Sequence, residues 1–154
     1  MSESKIRPGA PSDEDQLARL RAALWPESSA DEHARELGPI LAGKPPSTLP
    51  YAVFVAEMES GVLAGFLEAG LRSHADGCDT RRPVGFVEGW FVREHARRKG
   101  LGKRLLAAAE DWARSQGCTE MASDTWIDST LSQHVHESLN FEVVDRCIHY
   151  RKAL

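Results

Sequence analysis

The most constraining stretch of the chain is a change of hydrophobic period across a basic, glycine-containing turn. Val84-Gly-Phe-Val-Glu-Gly-Trp-Phe-Val92 is rich in β-branched and aromatic residues and reads as a strand. Arg97-Arg-Lys-Gly-Leu-Gly102-Lys-Arg follows it. From Leu101 the apolar residues recur at helical spacing. Leu101, Leu105, Ala108 and Trp112 share one face, while Lys103, Glu110, Asp111 and Arg114 lie elsewhere. Gly117 suits the end of this helix. Strand, tight turn and helix in that order are the building unit of an α/β sheet protein. Gly85 and Gly89 inside the strand predict a bulge or a close backbone approach.

The remaining elements complete a mixed sheet. Ile6-Arg-Pro-Gly9 reads as a short edge strand. Ser12 is expected to cap a first helix, with Asp13, Glu14 and Asp15 in its first turn, where they oppose the positive dipole end. Leu17, Leu20 and Leu24 form its stripe, which ends at Trp25-Pro26. A second helix is expected from Asp31 to Leu41. Tyr51-Ala-Val-Phe-Val-Ala-Glu57 and Val62-Leu-Ala-Gly-Phe-Leu-Glu-Ala69 read as a hairpin across Glu59-Ser-Gly61. A strand is expected from Cys118 to Asp124, and a short helix from Ser129 with Leu131, Val135 and Leu139 inward. Phe141-Glu-Val-Val144 and Ile148-His-Tyr-Arg151 read as closing strands. The order β-α-α-β-β-β-α-β-α-β predicts an α/β (α+β) fold with helices on both faces of the sheet and an antiparallel first half.

At 154 residues the chain fits one domain, residues 1–154. With 19 Lys and Arg against 23 Asp and Glu, its net charge is −4. That balance argues against a nucleic-acid or anionic-membrane partner and suits a cationic one. No apolar run approaches the ~20 residues of a membrane span, and the amino terminus lacks an apolar signal core, so a cytoplasmic location is expected. Cys78, Cys118 and Cys147 form no C-x-x-C pair, and disulfides are not expected. His134 and His136 are two apart, too close to be ligands on one helical turn, so no metal is expected.

Within this acidic chain, residues 97–104 invert the local charge. Two glycines let backbone approach an anion, and the following helix start directs free N–H groups at it. A Walker A loop would need glycine where Arg97 stands and Ser or Thr where Arg104 stands. A dinucleotide fingerprint would need three glycines on the first strand–helix unit. The spacing of Arg97, Gly100 and Gly102 instead resembles the Arg/Gln-x-x-Gly-x-Gly/Ala loop of the GNAT acyltransferases.

Longer stretches resemble one branch of that family, the aminoglycoside 6′-N-acetyltransferases. They are Leu24-Trp-Pro26, Gly77-Cys-Asp79, Phe86-Val-Glu-Gly-Trp-Phe-Val92, Glu120-Met-Ala-Ser-Asp-Thr125 and the tail from Phe141 to Lys152. The resemblance implies a GNAT fold and acetyl-coenzyme A-dependent acetylation of the 6′-amine of an aminoglycoside, conferring antibiotic resistance. It implies direct acetyl transfer in a ternary complex, without a metal, and a homodimer joined through the C-terminal strands.

Site residues follow from the same resemblance. Arg97, Arg98, Lys99, Gly100, Leu101, Gly102 and Lys103 would bind the pyrophosphate of the coenzyme. The backbone of Trp90, Phe91 and Val92 would bond its pantetheine arm like an added strand, and one such N–H would polarise the thioester carbonyl. Glu88 is the candidate base, direct or through water, and Asp124 would orient the amine. Trp25, Ser28, His74 and Asp145 complete the substrate set. Ser28 stands where relatives carry His, and His74 where they often carry Tyr. Ser129 replaces an Asn near the coenzyme, and His136 occupies the place of the usual Tyr acid; helix packing is its alternative role. Two other readings are acetylation of another small amine and a silent acyl-coenzyme A-binding module. A structural interaction domain would leave the basic loop unexplained.

Overall fold

A computed structural model describes residues 3–154. Five strands form one sheet in the order β1-β2-β3-β4-β5: β1 (Lys5–Pro8), β2 (Tyr51–Glu57), β3 (Leu63–Arg72), β4 (Val84–Val92) and β5 (Met121–Ser123). The first four are antiparallel, and β5 joins β4 in parallel. The described residues also form four α-helices: α1 (Glu14–Leu24), α2 (Ala30–Leu41), α3 (Leu101–Ser115) and α4 (Thr130–Ser138).

The sheet is covered on both faces. Leu101, Leu105, Leu106 and Ala109 of α3 pack on Leu67, Ala69 and Val87. Leu17, Leu20 and Leu37 of α1 and α2 pack on Val53, Val55 and Phe66 on the other side. Central β3 is therefore buried along its length until Arg72, which matches its nearly unbroken apolar sequence.

One apolar-face position breaks that pattern. Glu68 is fully buried, and its carboxylate accepts two hydrogen bonds from Arg21 of α1, at 2.6 and 2.5 Å. The Tyr51 hydroxyl donates a third at 2.9 Å. Burial works against the Arg21 charge, but Glu68 outweighs it and holds the guanidinium above its ordinary range. Burial, with the Glu68 charge, likewise pushes the Tyr51 phenol up, so it stays a neutral donor. Arg21 also lies under the Trp25 ring, 5.5 Å from its centroid.

Glu68 registers with Gly89, and Ala69 with Val87, so Glu88 is an extra residue in β4. The expected bulge thus falls on Glu88. Gly89 then faces the α1 side, where a Cβ would stand 2.5 Å from the Trp25 indole. The close approach expected from this glycine is real, and its neighbour is an aromatic ring.

Several expectations need correction. Ser12 does not cap α1; residues 11–13 form a single 3₁₀ turn, and Asp13 precedes the helix. The Asp13 carboxylate is taken by Arg7, at 2.7 and 2.8 Å, and by the Ala10 N–H. The fourth long strand shrinks to the three residues of β5. Leu131 faces outward, and His136 takes the inward position on α4. Phe141–Val144 and Ile148–Arg151 are not strands in this chain. Alternation suits them to a sheet, but no strand pairs with them among the described residues: the Phe141 N–H bonds the His136 carbonyl at 3.0 Å, and Val143, Val144, Ile148 and Tyr150 are exposed.

Two predictions follow from the packing. Arg21→Ala leaves Glu68 buried without its cation and should lower unfolding free energy by about 3–5 kcal/mol in urea titrations. Arg21→Met with Glu68→Leu should recover most of that loss. Gly89→Ala should destabilise by about 1–3 kcal/mol, as overpacked sites do. Adding Trp25→Ala should relieve most of that cost in the same titration.

Candidate active site

Beyond Val87 the sheet opens. β5 registers only with Gly85, Phe86 and Val87, its last residue Ser123 lying opposite Val87. Among the described residues, Glu88–Val92 therefore has no strand neighbour on its β5 side. Backbone N–H groups along that edge are free to bond an extended ligand, as in strand addition. Trp90 points to the α3 side, beside Gly102 and 5.5 Å from the His136 ring. It forms one wall of the opening.

At the end of this edge lies the basic loop. Arg98 (φ 62°) and Gly100 (φ 76°) adopt the left-handed conformation, and Gly100 is the N-cap of α3. For Arg98 that conformation costs about 1–2 kcal/mol, which the surrounding loop must offset. The result is a turn leading into the unsatisfied N–H groups of a helix start, a setting suited to an anion. Arg98, Lys99 and Lys103 are exposed beside it. Arg97 instead turns back, its Nε donating to the Val92 carbonyl at 2.8 Å, which ties the loop to the strand end. Arg104 is engaged with Ser4. An open strand edge leading to a basic, glycine-containing turn fits an extended arm ending in a pyrophosphate.

The bulge and the end of β5 bring two acids together. Glu88 and Asp124 each follow directly after the registered pair Val87–Ser123. Both bear on one residue that sequence reading missed, Arg72 at the end of β3. Its guanidinium donates to the two Glu88 oxygens at 2.9 and 2.8 Å and stacks 3.5 Å from the centre of the Phe86 ring. Hydrogen bonding to Glu88 and the charges of Glu88 and Asp124 raise the Arg72 pKa above its ordinary value, against the opposing effect of burial.

The other expected residues are more dispersed. Trp25 is half-buried between Gly89, Phe66 and His33, and its carbonyl takes the Ser28 N–H at 3.4 Å. Ser28 is thus placed by the turn that follows α1. His74 is exposed, with Nε2 3.6 Å from the Asp76 carboxylate. Asp145 lies in the exposed tail and accepts the N–H of Arg146; it makes no contact with Glu88 or Asp124. Its neighbour Val144 packs on Gly77, where a Cβ would stand 2.7 Å away, so the tail lies on the loop that carries His74. Ser129 is half-buried at the N-cap of α4 without a side-chain cap bond.

His136 is ordered by its neighbours. Nδ1 lies 2.7 Å from the Ser132 carbonyl, which only accepts, so Nδ1 carries the proton. In the neutral ring Nε2 then accepts from the Ser123 hydroxyl at 2.8 Å. Trp90 and Phe141 meet the ring edge-on. The side chain thus links α4 to the end of β5.

Known proteins resemble this chain in sequence and fold. The Acetyltransferase (GNAT) family model matches residues 15–141. An aminoglycoside N(6′)-acetyltransferase type 1 of Salmonella typhimurium is 42% identical over 139 residues, 90% of this chain and 91% of that protein. Its namesake from Serratia marcescens is 40% identical over 141 residues, 91% of this chain and 92% of that one. The solved aminoglycoside N-acetyltransferase AAC(6′)-Iy in complex with CoA superposes with a TM-score of 0.89 at 38% identity, covering 100% of this chain and 97% of that one. The structure of AAC(6′)-Iy with the bisubstrate analogue CoA-S-monomethyl-acetylneamine gives 0.86 at 38% identity, covering 99% of each chain. With the mixed sheet, the opened β4 edge and the glycine turn before α3, these matches establish that the chain belongs to the GNAT acetyltransferase family.

Proposed function

We propose that the chain, residues 1–154 acting as one catalytic domain, transfers acetyl from acetyl-coenzyme A to the 6′-amine of aminoglycosides and so confers resistance to them. The observation that carries this reading is the pair of acids, Glu88 and Asp124, at the mouth of an open β4 edge in a chain so similar to relatives of that name. An aminoglycoside is a polycation, and paired carboxylates suit its amines.

In this reading the residues divide the work. The loop at residues 97–103 holds the pyrophosphate, with Ser129 near the coenzyme. The backbone of Trp90, Phe91 and Val92 holds the pantetheine arm. Trp25, Ser28, His74 and Asp145 contact the sugar rings. An alkyl ammonium, with a reference pKa near 10.4, must lose a proton before it attacks. Glu88 takes that proton, directly or through water, while Asp124 orients the amine. The free nitrogen attacks the thioester carbon, and a β4 N–H stabilises the oxyanion. Collapse breaks the carbon–sulfur bond and releases a thiolate, whose Cys-like reference pKa of about 8.5 lets it leave with little help; the second proton on the attacking nitrogen passes to that sulfur, leaving a neutral amide and the coenzyme thiol.

The same reading takes the molecule as a cytoplasmic homodimer. Trp126, Ile127, Leu131, Val143, Val144, Ile148 and Tyr150 are exposed apolar residues of the last third of the chain. A second copy supplying strand partners to the tail would cover such a surface. Light scattering after size exclusion at micromolar concentration should give twice the mass of one chain; the mass of a single chain would refute the dimer.

Thiol release from acetyl-coenzyme A tests the reaction. Turnover is expected with neomycin, which has a 6′-amine, and not with paromomycin, which has a 6′-hydroxyl. Equal turnover of both would show that another amine is the acceptor. Glu88→Gln should lower kcat by about 10²-fold or more. Asp124→Asn should mainly raise KM for neomycin.

A further inference from the structure

In this structure both oxygens of the amine-binding carboxylate are already engaged. Arg72 grips Glu88 through a two-point fork, at 2.9 and 2.8 Å, and Asp124 contributes further attraction. A substrate ammonium approaching Glu88 therefore meets a cation belonging to the chain. We propose that Arg72 is a tethered competitor for the substrate amine, occupying Glu88 when the site is empty and surrendering it when a cationic substrate enters. This rests on Glu88 being the carboxylate that receives the amine.

Three features suit the residue to exchange rather than to permanent pairing. Its side chain is 45% exposed, so it can swing into water without unpacking the core. The guanidinium also stacks on the Phe86 ring, a contact that does not depend on Glu88 and can persist while the fork opens. Glu88 is the only hydrogen-bonding partner of its side chain among the described residues, so no second hydrogen bond has to break. The contrast with Arg21 is instructive: that guanidinium is buried, bonded to Glu68 and Glu36, and fixed beneath Trp25.

The consequence is selectivity by charge number. A monoamine replacing Arg72 exchanges one cation for another and gains little. A polycation displaces Arg72 and also meets Asp124. The competitor thus raises the threshold for singly charged amines.

Calorimetric titration of neomycin at fixed ionic strength, with steady-state kinetics, tests the idea in four proteins: wild type, Arg72→Gln, Glu88→Gln and the double variant. Removing the competitor should tighten binding and lower KM about 2–5-fold, the range of a partly exposed ion pair, with a smaller change in kcat. Glu88→Gln should weaken binding, and Arg72→Gln should then bring no tightening. Arg72→Lys, which keeps the charge but loses the fork, should fall between wild type and Arg72→Gln. Unchanged or weaker binding by Arg72→Gln, with Glu88→Gln still impaired, would overturn the proposal while leaving the role of Glu88 intact. If Glu88→Gln bound and turned over neomycin normally, the reading of Glu88 would fail, and the competitor with it.

Discussion

A carboxylate buried in the central strand sets the terms for much of this molecule. Glu68 has no access to water, so it requires a cation and hydrogen-bond donors at fixed positions. Arg21 and Tyr51 meet that demand from α1 and from β2. The pairing fixes α1 against the sheet and sets the platform on which Trp25 lies. It also falls opposite Gly89, beside the residue that interrupts the ladder. Glu68 thus orders the sheet beside Glu88 while its own side chain is held by α1.

The rest of the site is a division of charge between two regions of one acidic chain. Cations gather at the turn before α3, where an anion would rest. Acids gather where β4 and β5 part. Arg72 is the exception, a cation placed among the acids, and it brings that region closer to neutral. Backbone joins the two regions: the free edge of β4 runs from Glu88 to the carbonyl of Val92, which Arg97 holds.

Much of the frame was legible because local rules and global fold agree. β2 and β4 match their expected limits, and α3 begins at Leu101 as its period indicates. Gly85 and Gly89 announced an irregular β4, although only pairing with β3 located the extra residue. Glu68 within an apolar strand, and Arg21 within the stripe of Leu17, Leu20 and Leu24, were visible signs of a buried pair that went unread. Arg72 left no such sign. A charged residue at a strand end is commonplace, and its meaning depends on the register that sets it beside Glu88. The tail misled for a different reason. Its alternation is genuine, but strand formation requires a partner backbone, which a single chain does not provide there.

The bulge also has a consequence at the level of the gene. Deleting one residue from a strand ordinarily sends every following side chain to the opposite face. In β4 the segments before and after Glu88 already stand in proper register with β3. Loss of codon 88 alone would join them into an uninterrupted ladder, with Gly89 still opposite Glu68 and Trp90 still opposite Leu67. The smallest in-frame deletion at this site would thus remove the carboxylate from the place where β4 and β5 part while sparing the alternation of the strand. One in-frame codon loss can thus reach a chain with the same strand register and without this carboxylate.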